Sequence, residues 1–177
     1  MSWRRLLRRR ALLWPVLVLL LVPCLRLLPR PRRTPFLPDG SYRVLEVIDG
    51  DTIVVEGGHR VRFVSVDAPE MNYGRGRPEP LAEEARAAVE ALAAASGGRL
   101  RLEGCGPPRD RYGRFLKHPY ARVGTREVMV EEELVLAGLA RVVDYGGGCP
   151  HLERLYRAEA RARRERRGMW AGGARKR

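Results

Sequence analysis

The sequence contains few of the residues that build structural zinc sites. It has only three cysteines, and no two of them form a C-x-x-C pair. It also has only three histidines, which are scattered along the chain. Zinc sites in small domains usually show closely spaced Cys and His pairs. The spacing in this chain therefore predicts no structural zinc site.

Lysine is almost absent, because Lys117 and Lys176 are the only two in the chain. Arginine therefore carries nearly all of the positive charge. The net charge is +13, and it is unevenly distributed along the chain. Residues 1–40 carry +8 and residues 151–177 carry +7, whereas residues 41–150 carry −2. Basic ends suit a polyanion such as nucleic acid or an anionic membrane. A solvated arginine surface is the alternative for the C-terminal end.

The sequence lacks an apolar run of the roughly 20 residues that span a bilayer. The longest apolar run, residues 11–25, is shorter than this. It follows an arginine-rich start and predicts an apolar N-terminal helix. Residues 1–28 therefore have the layout of a secretory signal peptide or a short signal anchor, with cleavage and retention both open. Either one predicts a secreted, extracytoplasmic or membrane-anchored protein, with the domain outside. The alternative is a cytosolic chain with an apolar N-terminal helix.

Residues 29–40 form a linker rich in Pro and Arg, and one domain follows at 41–170. Alternating apolar residues and glycine turns predict five strands, and apolar spacing at helical intervals predicts three helices. The first helix, 81–95, falls between the third and fourth strands. This order is typical of an α+β fold, a five-stranded OB-type β-barrel with helices, and such barrels commonly bind oligonucleotides. Residues 171–177 are predicted to be a basic, disordered tail. The predicted strands are 42–48, 52–56, 59–66, 99–103 and 115–123, and the later helices are 130–137 and 151–167.

Two short acidic segments stand out within the barrel. Asp49 and Asp51 come just before the second strand, and Asp67 and Glu70 follow the third. A hairpin turning at 57–58 would bring the two segments side by side. Carboxylates repel one another, and a divalent cation is the simplest reason for such a cluster. Oxygen ligands favour Ca²⁺ or Mg²⁺ over a soft metal.

Four ordered motifs resemble those of the staphylococcal nuclease, or thermonuclease, family. They are I-D-G-D-T at 48–52, V-D-A-P-E at 66–70, D-R-Y-G-R at 110–114 and M-V-x-E-x-L-V-x-x-G-L-A at 129–140. A single Asp-Gly is usually only a turn, whereas four motifs in the family's order are specific. The resemblance covers about residues 41–170. It implies an OB-fold, Ca²⁺-dependent phosphodiesterase.

The resemblance also implies a role for individual residues. Asp51 and Asp67 match the metal-binding aspartates, and Ala68 stands where the family often has Thr and offers its backbone carbonyl. Asp49 is expected to form the turn or support the ligands from outside. Glu70 matches the carboxylate that acts on the attacking water. Arg62 and Arg114 match the two arginines that bind the scissile phosphate. Arg111 and Tyr112 match residues that flank the bound nucleotide.

Two cysteines are expected to pair on the same basis. Placed on the family's fold, the loops that hold Cys105 and Cys149 lie next to each other. If the domain is exported, a disulfide between them follows. Two free buried thiols are the alternative.

Three functions are consistent with these patterns. The first is a monomeric, exported or tethered Ca²⁺-dependent endonuclease that acts on DNA, RNA or both with little sequence preference. The second is a non-catalytic OB-fold module that binds nucleic acid. The third is a membrane-linked interaction protein whose arginine tail contacts anionic lipid. The second function usually goes with loss of the acidic cluster or the arginines, and this chain keeps both.

Overall fold

Five strands close into a barrel in the computed structural model of the chain, which describes residues 36–74, 76–144 and 149–172. The antiparallel order is β3-β2-β1-β5-β6, and a parallel pairing of β3 with β6 closes the ring. A seventh strand pairs with β6, and β4 pairs with β8 outside the ring. The strands are β1 (Gly40–Val47), β2 (Thr52–Val55), β3 (His59–Phe63), β4 (Val66–Asp67), β5 (Arg99–Arg109), β6 (Phe115–Val123), β7 (Arg126–Met129) and β8 (Arg141–Val142).

Three helices within the described ranges pack around the barrel. These are α1 (Ala82–Ala95), α2 (Val130–Ala137) and α3 (Leu152–Arg164), and a 3-10 turn follows at Gly168–Trp170. Helix α1 buries Ala85 and Val89 on one face, and α2 packs against α3. The barrel interior contains fully buried side chains such as Ile53, Phe63 and Leu100. The predicted α+β, OB-type five-stranded barrel is confirmed.

The β2–β3 hairpin has the geometry that its glycines predict. Gly57 and Gly58 both have positive φ, a conformation that costs glycine little. The register pairs Thr52 with Arg62 across the two strands. This pairing places Arg62 beside the segment that precedes β2, and it thereby positions one side of the candidate site.

Apart from shifts of one or two residues, the strands and helices differ from the predictions in four ways. Strand β5 continues to Arg109, whereas residues 104–108 were expected to be a loop. The pairing with β6 is irregular between Gly104 and Arg109. The two prolines, which have no backbone N–H to donate, lie in this irregular part of the strand. The predicted third strand ends at Phe63 and β4 resumes at Val66. Strand β7 was not predicted, and α3 ends at Arg164 rather than at residue 167.

The N-terminal predictions fall largely outside the described residues. The apolar helix, the signal or anchor at 1–28 and most of the linker at 29–40 lie there, as do residues 173–177 of the tail. The described end of the linker contacts the barrel: Leu37 is buried, and Asp39 accepts from Lys117 Nζ at 2.6 Å. None of the helices in the described ranges has the length and apolar character of a bilayer span.

Candidate active site

The turn between β1 and β2 holds two buried carboxylates. Asp49 and Asp51 are 6% and 2% exposed. Asp49 Oδ1 accepts the backbone N–H of Asp51 at 3.0 Å, so Asp49 shapes the turn. Asp51 is held by two donors, the Thr52 hydroxyl at 2.9 Å and the Ala68 backbone N–H at 2.8 Å. The Ala68 contact ties the first acidic segment to the second.

Arg62 joins the two acidic segments directly. Its Nη1 lies 2.5 Å from Asp51 Oδ2, and its Nη2 donates to Asp67 Oδ1 at 3.2 Å. Arg62 is only 7% exposed. The close Nη1 approach is an ion pair without hydrogen-bond alignment, and Nη1 has no other partner in the described part of the chain. A buried guanidinium with unused donor capacity is suited to an anionic group such as phosphate.

Burial makes Asp51 an unusual carboxyl. Loss of solvent raises its pKa to about 7, the charge of Arg62 opposes this shift, and the neighbouring Asp49 adds to it. A carboxylate in this position is costly unless more positive charge is nearby. A bound cation would supply that charge.

Glu70 lies at the exposed rim of the same cluster. Partial desolvation and then the charge of Asp49 raise its pKa above the ordinary range, although Arg62 opposes them. The Glu70 backbone N–H donates to Glu79 Oε2 at 3.1 Å, and the Glu70 carbonyl accepts from the Glu79 N–H at 3.0 Å. The backbone of Glu70 is therefore fixed, and none of these contacts uses its carboxylate.

A turn between β5 and β6 positions the second predicted phosphate-gripping arginine. Asp110 Oδ1 accepts the backbone N–H groups of Tyr112 and Arg114, both at 2.9 Å. Its Oδ2 accepts from Arg114 Nε at 2.7 Å. Arg114 Nη1 reaches Thr52 Oγ1 at 3.4 Å, and Thr52 in turn donates to Asp51. Thr52 therefore links Arg114 to the carboxylate cluster through two successive contacts.

An open cleft of about 580 Å³ lies beside these groups. Both arginines line it, and so does the predicted nucleotide-flanking pair, Arg111 and Tyr112. Tyr112 is 69% exposed, and the guanidinium of Arg111 lies 4.8 Å from the centroid of its ring. Cys105 and Cys149, joined as a disulfide with Cα atoms 5.9 Å apart, form another part of the wall. An exposed ring next to cationic side chains suits a stacked base with a phosphate beside it.

The structure adds two residues to which the sequence patterns assigned no role. Asp110 builds the turn that aims Arg114, as described above. Arg141 donates to Asp67 Oδ2 from Nη2 at 2.6 Å and from Nε at 3.0 Å. Strand register explains this contact, because Asp67 of β4 lies opposite Arg141 of β8. Both oxygens of Asp67 are thus held by arginines, and the only advance signal was that Arg141 follows the fourth motif.

The predicted site residues thus fall in one region, at the mouth of the barrel. Asp51, Arg62 and Asp67 are in direct contact, Ala68 bonds to Asp51, and the charges of Asp49, Asp67 and Arg62 act on Glu70. Their individual roles stay predictions. Chemically, the group combines oxygen donors for a hard cation with guanidinium donors for an anion.

Comparison with known proteins agrees with this geometry. Residues 60–172 match the family described as staphylococcal nuclease homologue. The chain is 31% identical to a thermonuclease of Staphylococcus hyicus over 134 residues, which are 74% of this chain and 76% of that protein. It is 34% identical to an uncharacterized endonuclease of Escherichia coli over 134 residues, 73% of this chain and 76% of that protein. It is 30% identical to a micrococcal nuclease of Shigella flexneri over 145 residues, 77% of each. The chain therefore belongs to the staphylococcal nuclease family, and its enzyme class is that of a nuclease.

Proposed function

We propose that this nuclease is a Ca²⁺-dependent endonuclease that hydrolyses DNA and RNA phosphodiesters with little sequence preference. The observation that carries the proposal is the direct contact of Arg62 with both Asp51 and Asp67 at the barrel mouth. A phosphodiester is anionic, and its hydrolysis builds charge on oxygens that guanidinium groups can bind. No base-reading groove is needed for such contacts, and low sequence preference follows from that.

The donor set fits a hard divalent cation. Asp51 and Asp67 supply carboxylate oxygens, and Ala68 adds a backbone carbonyl in the proposed ligand set. The raised pKa of Asp51 reports a buried carboxyl whose negative charge is incompletely balanced. Oxygen-only donors with no nitrogen or sulfur suit Ca²⁺. When bound, Ca²⁺ would act as a Lewis acid toward a phosphate oxygen.

The arginines bind and orient the scissile phosphate in this proposal. Nη1 of Arg62 is buried and makes an ion pair with Asp51 but no aligned hydrogen bond, so it has donor capacity left for a phosphate oxygen. Arg114 lies on the other side of Thr52 and is held at a defined angle by Asp110. Two planar guanidinium groups with fixed directions stabilise the charge that develops during in-line displacement.

Glu70 acts on the attacking water. Its pKa is raised by partial desolvation and by neighbouring carboxylates, which makes it a better proton acceptor than a glutamate of ordinary pKa. Its backbone is anchored through Glu79, while its carboxylate stays available. Glu70 therefore orients the water and accepts its proton as the water attacks phosphorus.

The surface around the cleft provides further contacts for a nucleic-acid substrate. Arg111 and Tyr112 flank it, and helix α3 carries many arginines on its outer face. Several of these arginines pair with glutamates, as Arg157 does with Glu153 and Arg161 with Glu165. We therefore expect a moderate, salt-sensitive contribution to affinity from α3. The arginine-rich start and apolar run at 1–28 support an exported or membrane-tethered location, and we propose that the domain acts there as a monomer.

Digestion of plasmid by the full chain tests the proposal. Cleavage is expected in Ca²⁺ and is expected to stop in excess EDTA. Arg62→Ala should lower the rate on the order of 10²–10³-fold, the loss typical of a missing transition-state donor. Glu70→Ala should lower it by roughly 10²–10⁴-fold, the contribution typical of a general base. Both variants should keep an unchanged circular dichroism spectrum. A gel shift without cleavage in Ca²⁺ would instead support the non-catalytic binding module. Absence of both would support the membrane-linked interaction protein.

A further inference from the structure

Three side chains that the proposed hydrolysis does not use meet at the wall of the cleft. Cys105 comes from the far part of β5, His118 from the middle of β6, and Cys149 from the segment before α3. The two sulfur atoms and a ring nitrogen of His118 all lie within 4.8 Å of one another. These residues are too far apart in the sequence to show the spacing of a zinc site, so the sequence pattern does not indicate one.

A buried carboxylate fixes the orientation of His118. Glu131 Oε2 lies 2.5 Å from His118 Nδ1, and both residues are fully buried. The other oxygen, Glu131 Oε1, accepts the backbone N–H of Ser65 at 3.1 Å. Glu131 thus acts as an acceptor on both sides. In the neutral ring, a proton on Nδ1 faces this carboxylate and Nε2 keeps its lone pair.

Nε2 of His118 has no hydrogen-bond partner in the described part of the chain. Buried polar atoms are nearly always paired, so an unpartnered imidazole nitrogen calls for a ligand. His118 is 0% exposed, and its free nitrogen belongs to the ring that shares the cluster with both sulfurs. A histidine held by a carboxylate through one nitrogen, with the other nitrogen free, is the arrangement found around zinc-binding histidines.

His151 is a neighbour of this cluster with a different partner. Its ring packs edge-on against the His118 ring, with centroids 4.8 Å apart. Its Nε2 lies 3.1 Å from the Tyr120 hydroxyl oxygen. His151 is therefore a matched control for His118, because it is a nearby histidine outside the cluster of possible ligand atoms.

We propose that reduction of the Cys105–Cys149 disulfide creates a zinc site formed by both sulfurs and Nε2 of His118. A dithiol reductant supplies two electrons and two protons, the S–S bond breaks, two protein thiols form, and the reductant becomes a cyclic disulfide. Zn²⁺ then replaces the two thiol protons, which pass to solvent, and two Zn–S bonds and one Zn–N bond form. Two cysteines and one histidine leave a fourth tetrahedral position for water.

The distances suit this ligand set. Bond lengths of about 2.3 Å for Zn–S and 2.0 Å for Zn–N place tetrahedral ligand atoms roughly 3.5–3.8 Å apart. The sulfurs must therefore separate, and the 5.9 Å between the two Cα atoms leaves room for this by side-chain rotation. Cys105 is partly exposed on the cleft, so an ion has a path to the site. Thiolates and imidazole favour Zn²⁺, whereas the carboxylate cluster favours hard cations, so the two sites are chemically separable.

Zinc and cobalt titration of the full chain tests the proposal. The protein is stripped of metal, reduced with dithiothreitol, desalted without oxygen, and titrated with Zn²⁺ against a chromophoric chelator. Co²⁺ is titrated in parallel, because thiolate ligands give it a sulfur-to-metal charge-transfer absorption. The reduced protein should bind one Zn²⁺ at the thiol site and show this absorption, and the disulfide form should do neither. An Asp51→Asn, Asp67→Asn protein should bind Zn²⁺ at the thiol site as tightly as the wild type, which would exclude the carboxylates as the ligands.

Four variants sharpen the result. Cys149→Ser and His118→Gln should each weaken Zn²⁺ binding by at least about 100-fold, whereas Glu131→Gln should weaken it by about 10–100-fold, the usual effect of losing the partner of a metal-bound histidine. His151→Gln should leave the affinity unchanged. Equal zinc affinity in the reduced and disulfide forms would overturn the proposal. A thiol-dependent signal that survives His118→Gln would also overturn it, since cysteines of an unfolded chain need no histidine.

Discussion

Replacing Gly50 with alanine tests how the Asp-Gly-Asp turn is packed. A Cβ at position 50 would lie 2.7 Å from the Cβ atoms of both Ala68 and Ala85. Ordinary contacts of this kind are 3.4–4 Å, so both neighbours must move. Neither can escape by changing rotamer, because each Cβ is fixed to its own backbone. Ala68 also donates its N–H to Asp51, so the strain acts directly on the candidate site.

The expected loss of stability follows from two opposing terms. Overpacking a core position costs about 1–3 kcal/mol. Gly50 does not use a positive φ, so alanine also restricts the unfolded chain and returns about 0.4–1 kcal/mol. The net cost is about 1–2 kcal/mol, which lowers the melting temperature of a domain of this size by roughly 3–8 °C. The cleavage rate should fall on the order of 10²-fold, because a displacement of about 1 Å at a reacting group lowers an enzyme's rate by about that factor.

Thermal unfolding followed by circular dichroism and the initial rate of plasmid cleavage measure both effects. Gly172→Ala is the control, because a Cβ there meets nothing within 4 Å, and it should change neither quantity. Ala85→Gly removes one of the two clashes but alone costs about 1 kcal/mol as a helix substitution. The Gly50→Ala, Ala85→Gly protein should therefore lose less stability than the sum of the two single changes. An unchanged melting temperature and full activity in Gly50→Ala would refute the reasoning.

Three further predictions address the cleft wall and the second arginine. Arg114→Ala should reduce the cleavage rate by on the order of 10²–10³ while the circular dichroism spectrum is unchanged, and a near-normal rate would remove Arg114 from the proposed machinery. Cys149→Ser should destabilise the oxidised protein by about 4 kcal/mol in chemical unfolding, because the disulfide closes a loop between residues 44 apart, and equal stability with and without reductant would contradict this. Asp110 has a lowered pKa: burial opposes the shift, but the hydrogen bonds and charge of Arg114 outweigh it. The charged Asp110 therefore stabilises the fold at a pH above its ordinary pKa of 3.8, and this stabilisation is lost as the pH falls through the lower pKa of the folded state. In Asp110→Asn, the free energy of unfolding should therefore depend less on pH at the acid end.

The barrel was predictable because its signals are local. β-branched and apolar residues mark β2, alternation of Leu100 and Leu102 with charged residues marks the start of β5, and paired glycines mark the β2–β3 turn. The order of the elements then restricts the topology, and the four motifs identify the family. The ends of the elements were less predictable. Strand β5 runs on through Gly-Cys-Gly-Pro-Pro, a stretch typical of loops, because pairing resumes at Arg109 after an irregularity.

The site was predictable in its residue types and incomplete in its contacts. Spacing indicated that the segments holding Asp51 and Asp67 would converge, since the hairpin between them is short, and the family resemblance added Arg62. Arg141 was not found, because its contact with Asp67 depends on a strand pairing between residues 74 apart in the sequence. The buried pair of His118 and Glu131 was missed for a related reason: neither burial nor partner is visible in an apolar alternation pattern.

Restoring activity with calcium tests the central claim most directly. The full chain is depleted of metal with a chelator and freed from it, and the initial rate of cleavage of a labelled DNA strand is measured as Ca²⁺ is added back. The wild-type protein should recover its rate with saturation, whereas Asp51→Asn should stay inactive over the same range, because it loses a charged ligand of the buried cluster. Full cleavage by the metal-depleted wild type, or equal recovery by Asp51→Asn, would contradict the proposed site.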